Sequence, residues 1–437
     1  MKTIKVLLIN PKSSNVDALP IPPLGLLYLA SYARERGHGD IRVIDNNRED
    51  HPIETLADEI SKADIVGLTG TTSQYKQAAE IADIAKRFKK LVVMGGPHAT
   101  FLAEDILKHS NIDIVVVGEG EVAFFEILEE AANQQNDFSH VHGVFFKNNN
   151  GRIIGTQKRL YIKNLDELPF PARDLVPIKD YPIRELKQFD GPFTHMMSGR
   201  GCTSKCTFCS SPGMWGYARV RSAANVFKEM MEIYDRYQIK NIHFQDDSFT
   251  LARKRVIELA QLIIDSGIGF KWCCQARPDQ VDGEMLIMMK KSGCVQIAFG
   301  VESGDERLLK EVGKGYTKEQ ICRAFYNTKK VGITTYGFFI VGLPGETLAN
   351  WIKSIIFAKS LKMFCCVWTV LVPFPGTKVL MDKRIRVVKE DFLEWRYKNP
   401  IIKSGKFGPK SLAIMRKIAD VICNGLSNTG TYKTKKK

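Results

Sequence analysis

The chain of 437 residues is long for one simple fold and predicts two or three domains. Apolar residues at 44% and charged residues at 25% exclude a disordered or fibrous chain and allow a full hydrophobic core. Lys and Arg total 63 against 48 Asp and Glu, and the resulting +15 favours acidic contacts. Four of those lysines lie in the tail Thr431–Lys437, and no basic block interleaved with aromatics occurs elsewhere, which argues against nucleic acid as a partner. No apolar run reaches the roughly 18 to 20 residues needed to cross a bilayer, and the first residues lack a signal-peptide pattern. A cytoplasmic protein without membrane contact is expected. In that compartment the ten cysteines point to metal or redox chemistry rather than to disulfides.

Along residues 1–140, strand-like runs alternate with amphipathic stretches. The apolar runs Ile4–Ile9, Ile41–Ile44, Ile65–Leu68, Leu91–Met94 and Ile114–Val117 read as buried strands. Helical periodicity covers Leu24–Arg36, Ile53–Ser61, Tyr75–Phe88, Phe101–Lys108 and Glu121–Asn133. Strict alternation predicts an α/β, doubly wound Rossmann-like domain whose ligands bind at the carboxyl ends of its strands. Residues 141–192 read as a short hairpin around Asn148–Gly151 followed by a proline-rich connection. In residues 193–375 the alternation resumes with runs at Phe193–Met197, Asn241–Phe244, Phe270–Gln275, Val295–Phe299, Thr335–Val341 and Phe364–Leu371. Helical stretches separate these runs, so a partial (β/α)6 barrel is expected. Residues 376–437 form a basic extension with a helix around Leu412–Asn424.

The sharpest chemical signal is Gly201–Ser210, directly after the first strand of the second domain, with Cys202, Cys206 and Cys209. Thiolates at this spacing suit zinc or an iron–sulfur cluster. A structural zinc site normally has four ligands in two paired halves, and no second pair is present, since Cys273, Cys274 and Cys294 belong to later strands. Three ligands leave one metal position open for a small molecule. Neighbouring cysteines in Cys273–Cys274 and Cys365–Cys366 point to opposite faces of their strands, so one of each pair is expected inside the barrel, as an inert core thiol or beside the substrate.

Cys-x-x-x-Cys-x-x-Cys at the head of a (β/α) run resembles the signature of the radical S-adenosylmethionine superfamily, over about residues 193–375. The aromatic Phe208 before the third cysteine matches as well. The resemblance implies a [4Fe–4S] cluster on the three cysteines whose fourth iron binds S-adenosylmethionine and cleaves it reductively to a 5′-deoxyadenosyl radical. Later strand ends carry further matches. Asp246 and Asp247 in Phe244–Thr250 are acceptors suited to the α-amino group of the methionine moiety, or a solvated pair at a helix start. Arg277 offers a fork for a carboxylate, or stands at the surface. Glu302, beside Gly300 and Gly304, is the position the superfamily uses for ribose hydroxyls. Gly342 begins a turn resembling the one that lines the adenine pocket, and Pro373–Thr377 fits the same pattern.

Residues 4–135 carry a second resemblance, through Pro22–Ala30, Val92–Thr100 and Val116–Glu121, to the cobalamin-binding domain of one large class of radical enzymes. It implies that Gly95, Gly96, Gly118 and Glu119 border a ligand and that Thr71, Thr72 and Ser73 offer hydroxyls to it. A domain that has lost its cofactor, or that binds a nucleotide, is the alternative. The loop Asn10–Leu19 contains no histidine, so the resemblance implies cobalt without an imidazole from that loop, with His98 lining the pocket or bonding backbone. Together these features imply a cobalamin-dependent enzyme that methylates an unactivated carbon or phosphorus of a small-molecule substrate, with electrons from an acidic donor such as flavodoxin or ferredoxin. Radical cyclisation, rearrangement or oxidation is the enzymatic alternative, and a cobalamin sensor the non-enzymatic one. A tRNA methylthiotransferase shares the barrel but brings extra cysteines in its N-terminal domain, and residues 1–201 hold none. The sequence assigns no catalytic acid or base.

Overall fold

The computed structural model describes residues 4–15, 19–134, 137–148, 150–182, 189 and 191–425, so the basic tail lies outside the described residues. The chain divides into two compact units, Met1–Tyr181 and Pro182–Lys437. No helix among the described residues is long and apolar enough to cross a membrane.

The first unit is built on seven strands: β1 (Val6–Asn10), β2 (Ile41–Asp45), β3 (Ile65–Thr69), β4 (Leu91–Gly95), β5 (Ile114–Val116), β6 (Val144–Lys147) and β7 (Ile153–Gly155). Their order is β2-β1-β3-β4-β5-β6-β7, with the first five parallel and the last two antiparallel. Continuous Val, Ile and Leu runs suit strands covered on both faces. Val6, Leu8, Ile65 and Val93 pack with Leu26, Phe124 and Ile127 in one layer. Their neighbours Leu7, Ile9, Val66 and Val92 pack with Ile60, Ile81 and Ile106 in the other. The chain reverses direction across the sheet between β1 and β3, and the crevice at such a switch point is where ligands bind in sheets of this kind.

The hairpin differs from its expected place in the connection. It extends the first sheet, because Val144 and Phe146 join the layer of Leu8 and Phe124. The proline-rich stretch up to Tyr181 also belongs to this unit: Ala172 N–H donates to Leu27 O at 3.1 Å, and Tyr181 OH donates to Asp45 Oδ2 at 2.7 Å. The helix expected over Phe101–Lys108 is two short ones, Pro97–Phe101 and Ala103–His109.

In the second unit, β8 (Phe193–Met196), β9 (Asn241–Phe244), β10 (Lys271–Ala276), β11 (Cys294–Glu302), β12 (Thr334–Val341) and β13 (Cys365–Val370) form a parallel sheet in sequential order. Phe193 on one edge strand and Cys365 on the other pack into one cluster with Cys273, Ala298 and Tyr336, so the sheet curls into a partial barrel. Cys273 and Cys365 are thus the interior members of their pairs. Outward residues pack against the helices and each other, Phe299 on Phe325 with ring centroids 5.1 Å apart and Phe339 stacked on Trp368 at 4.7 Å. After the barrel comes an antiparallel pair, Ile385–Val387 with Ile402–Ser404, too short and too polar to announce itself in the sequence. Helix Pro409–Asn424 closes the described chain.

Candidate active site

The three cysteines of the first motif stand in the loop between Gly199–Arg200 and the short helix Ser211–Trp215. Gly201, at φ +84°, opens it, and a Cβ there would lie 2.7 Å from Tyr217 O. The Ser204 N–H points to Cys202 Sγ and the Ser211 N–H to Cys209 Sγ, each at 3.4 Å. Thr207 N–H donates to Val312 O at 3.0 Å and the Cys206 thiol to Gly313 O at 3.8 Å, which clamps the loop onto residues 312–313. Burial pushes the Cys209 thiol up to about 11; the Ser211 N–H opposes this, while Asp247, Cys206 and Cys202 add to it, so the thiols share one electrostatic neighbourhood. Among the described residues no three His, Cys, Asp or Glu side chains are placed to hold a single metal ion. A cubane presents a separate iron to each thiolate and is served by three thiols on one loop, with backbone N–H groups directed at sulfur.

Beside this loop lies a compact ionic group. Glu302 ends β11 at φ +65°, where the register with β12 shifts between Gly300 and Glu302. Its Oε1 meets Lys314 Nζ at 2.7 Å, with both side chains under a tenth exposed. A Cβ on Gly300 would stand 2.6 Å from that carboxylate oxygen and 2.9 Å from the ammonium, so only glycine leaves room for the pair. Lys314 Nζ also sits 5.6 Å from the ring centre of Phe208 and 5.5 Å from that of Tyr316, and the Tyr316 hydroxyl donates to Gly300 O. Burial works against the ammonium, but Glu302, Tyr316 and Cys206 hold its pKa well above the usual lysine range. Lys314 and Tyr316 escaped the sequence reading; the available signal was a lysine flanked by glycines in Gly313–Tyr316.

Three expected cofactor contacts are committed elsewhere. Asp246 is 3% exposed, and Ser198 donates to both its oxygens, the N–H to Oδ1 at 2.7 Å and the hydroxyl to Oδ2. Arg255 braces that hydroxyl from behind, Nη1 to Oγ at 2.6 Å. Asp246 therefore positions the end of β8 instead of offering a free carboxylate. Arg277 forks onto its near neighbour Asp279, with contacts of 3.0 and 2.8 Å, and reaches Ser204 Oγ and Lys314 O, so it ties the cysteine loop to the lysine loop. Gly342 is buried at φ +90°, gives its N–H to Glu346 Oε2 at 2.6 Å, and turns its Cα toward Leu412 of the last helix. Asp247 is the more open of the two aspartates: Oδ2 accepts from Ser211 Oγ at 2.6 Å, the Gly201 N–H also bonds the carboxylate, burial pushes its pKa up, and its charge is felt at Cys209.

In the first unit the loops after β1 and β3 are locked by a relay of neutral groups. Asn10 Nδ2 donates to Asp45 Oδ1 at 2.7 Å, Gln74 Nε2 donates to Asn10 Oδ1 at 2.8 Å, and Thr71 N–H donates to Gln74 Oε1 at 2.9 Å. On this base Ser73 Oγ bonds Ser13 Oγ at 2.7 Å and Thr71 Oγ1 at 3.1 Å, a row of hydroxyls at the switch point. Thr72 is turned inward to His98 Nδ1 at 3.2 Å. His98 is 1% exposed and stacked on Tyr75 at 4.5 Å; burial, only partly opposed by Asp105, pushes its pKa down to about 4. Its ring thereby holds Thr72 in place. Gly96, at φ +94°, lets the chain after β4 approach β3, since a Cβ would lie 2.8 Å from Thr69 Oγ1. Gly95 has only ordinary contacts, and Gly118 gives its N–H to Thr100 Oγ1 at 3.1 Å. Glu119 is buried and accepts the Ile162 N–H at 2.8 Å, so it braces the segment after the hairpin.

Comparison with known proteins agrees with this division. Residues 196–358 match the radical SAM superfamily, and residues 15–128 match the B12 binding domain. An uncharacterized methyltransferase from Pyrococcus horikoshii is 37% identical over 390 residues, covering 87% of this chain and 83% of the relative. An anaerobic magnesium-protoporphyrin IX monomethyl ester cyclase from Rubrivivax gelatinosus is 27% identical over 396 residues, covering 87% of this chain and 70% of the relative. Among solved structures, the radical S-adenosylmethionine methyltransferase TsrM from Kitasatospora setae, with cobalamin and a [4Fe–4S] cluster bound, shares the fold: its TM-score is 0.74 at 18% identity, over 95% of this chain and 82% of that one. The chain belongs to the cobalamin-binding radical S-adenosylmethionine enzyme family. Its cofactors are a [4Fe–4S] cluster, S-adenosylmethionine and cobalamin.

Proposed function

We propose that the protein methylates an unactivated carbon or phosphorus centre of a small molecule. The observation that carries this reading is the relative named as a methyltransferase, whose similarity at 37% identity runs across 87% of the chain. When bound, the cluster supplies the electron that cleaves S-adenosylmethionine and cobalamin supplies the methyl carrier. Cys202, Cys206 and Cys209 hold the cluster, and the N–H groups of Ser204 and Ser211 stabilise the charge on sulfur. Glu302, fixed by Lys314, presents an acceptor to ribose hydroxyls, while Asp247 offers a carboxylate beside Cys209 to an ammonium group. In the first unit Ser13, Thr71 and Ser73 supply hydroxyls to the polar periphery of the corrin ligand. The +15 net charge supports docking of an acidic electron donor such as flavodoxin or ferredoxin, and a cytoplasmic setting accords with it.

A second reading is radical cyclisation without net methylation, favoured by the cyclase relative at 27% identity. Product stoichiometry separates the two. Reconstituted enzyme is incubated anaerobically with methyl-labelled S-adenosylmethionine and a metabolite extract, and products are followed by mass spectrometry. Methyl transfer yields equal S-adenosylhomocysteine and deoxyadenosine with a labelled product. Deoxyadenosine with an altered, unlabelled substrate would decide for cyclisation or oxidation.

A further inference from the structure

The edge strand β13 and the closing helix Pro409–Asn424 bring two thiols together away from every cofactor loop. Cys365 joins the interior cluster, so its neighbour Cys366 points to the convex face, where it is 2% exposed. Asn424 grips the main chain of Cys366 from both sides: the Cys366 N–H donates to Asn424 Oδ1 at 2.9 Å, and Asn424 Nδ2 donates to Cys366 O at 2.6 Å. One side-chain amide thereby completes the open ladder of the edge strand and fixes the last helical turn in register with residue 366. The preceding helical residue, Cys423, is partly exposed, and the Asn424 clamp brings it beside Cys366, the strongest influence on its thiol. Cys366, the Trp368 indole and the Lys359 ammonium, opposed by burial and Asp420, hold the Cys423 thiol below its ordinary range, whereas burial pushes Cys366 up.

We propose that Cys366 and Cys423 form an oxidisable dithiol that closes to a disulfide by exchange with a low-molecular-weight disulfide such as oxidised glutathione, tethering the last helix to the edge strand. Cys423 has the access and the thiolate character of an attacking group. Its sulfur attacks one sulfur of the small disulfide, the S–S bond breaks, and one small thiolate leaves and takes a proton from water. Cys366 then gives its proton to water and attacks the Cys423 sulfur, expelling the second small thiol. Two protein thiols are oxidised and one small disulfide is reduced to two thiols, a two-electron exchange. A second neighbouring pair, Cys274 and Cys294, is 1% and 0% exposed, so an incoming disulfide has no path to it.

The test uses the full-length holoenzyme, equilibrated without oxygen in glutathione buffers of increasing oxidised fraction. Free thiols are then capped by alkylation and the tryptic peptides mapped by mass spectrometry. The expected result is a Cys366–Cys423 cross-link, two hydrogens lighter than the reduced peptides, with Cys274 and Cys294 left as thiols. Cys366→Ala should stop the reaction at a glutathione adduct on Cys423, and Cys423→Ser should leave Cys366 unmodified. Hydrogen exchange in residues 409–424 should slow at least several-fold in the cross-linked protein. Absence of any Cys366–Cys423 link in fully oxidised buffer would overturn the proposal, as would a link from Cys423 to Cys365.

Discussion

The carboxyl ends of the parallel strands in the two units are built on opposite electrostatic plans. Around β11 the protein sets full charges in contact, Glu302 with Lys314 in the interior and Arg277 with Asp279 nearer the surface, beside three thiols on the adjoining loop. Around β1 and β3 the inner groups are neutral amides and hydroxyls, and the Lys12–Asp50 ion pair stays at the surface. Asp45, the carboxylate at the end of β2, is 0% exposed and taken up by Asn10 and Tyr181. Buried charges are retained only where something compensates them, and neutral groups suffice for a ligand whose periphery is itself neutral. The barrel end therefore offers paired charges beside thiols, and the first sheet a row of neutral hydrogen-bonding groups.

The contrast is broken most completely at the thiols. Changing Cys202, Cys206 or Cys209 to Ala should remove the cluster, with iron falling well below about four per chain, and abolish deoxyadenosine formation. Cys294→Ala should leave both unchanged. Iron analysis with product quantification checks this directly. Next comes the buried pair: Glu302→Gln strands the Lys314 ammonium and should destabilise the protein by about 3 to 5 kcal/mol in denaturant titration. Adding Lys314→Met should restore most of that loss, a coupling that an exposed pair would not show.

The smallest effects sharpen the comparison through pH. Burial pushes the Glu346 carboxyl in the second unit up to about 8, with Asp305 adding and the Gly342 and Leu343 N–H groups opposing. The folded state holds that proton, so the stability it contributes is full below about pH 4.5 and is lost as pH rises toward 8. His98 in the first unit runs the other way. Neutral when folded, it contributes full stability above about pH 6.5 and loses it as pH falls toward 4, on the order of 3 kcal/mol in all. Denaturant titrations across pH should show Glu346→Gln flattening the alkaline slope and His98→Asn the acid slope. Unchanged slopes would contradict the burial argument for either group.

Much of the molecule was legible in the sequence, for physical reasons that differ by element. The strands declared themselves because runs such as Val6–Ile9 and Ile65–Leu68 are buried throughout and so carry no polar interruption. The cysteine loop declared itself because Cys202, Cys206 and Cys209 lie close together within one loop. Lys314 did not, because it meets Glu302 only through a strand register shift and a left-handed φ, neither of which leaves a pattern in the sequence. Asp246 and Arg277 stood out as charged groups at strand ends, but the partners that occupy them did not. Ser198 and Asp279 reach them through tertiary placement and local rotamer, which residue spacing does not encode. Gly342 faces Leu412 on the closing helix; the helix was legible, but its tertiary placement against this turn was not.

Methyl carriage is the central claim, and it can be measured without knowing the substrate. Reduced, reconstituted protein holding cobalamin is given S-adenosylmethionine labelled in its methyl group, without oxygen, and the bound corrinoid is extracted. The account predicts labelled methylcobalamin and S-adenosylhomocysteine in equal amounts. Deoxyadenosine formation with no label on the corrinoid would contradict it.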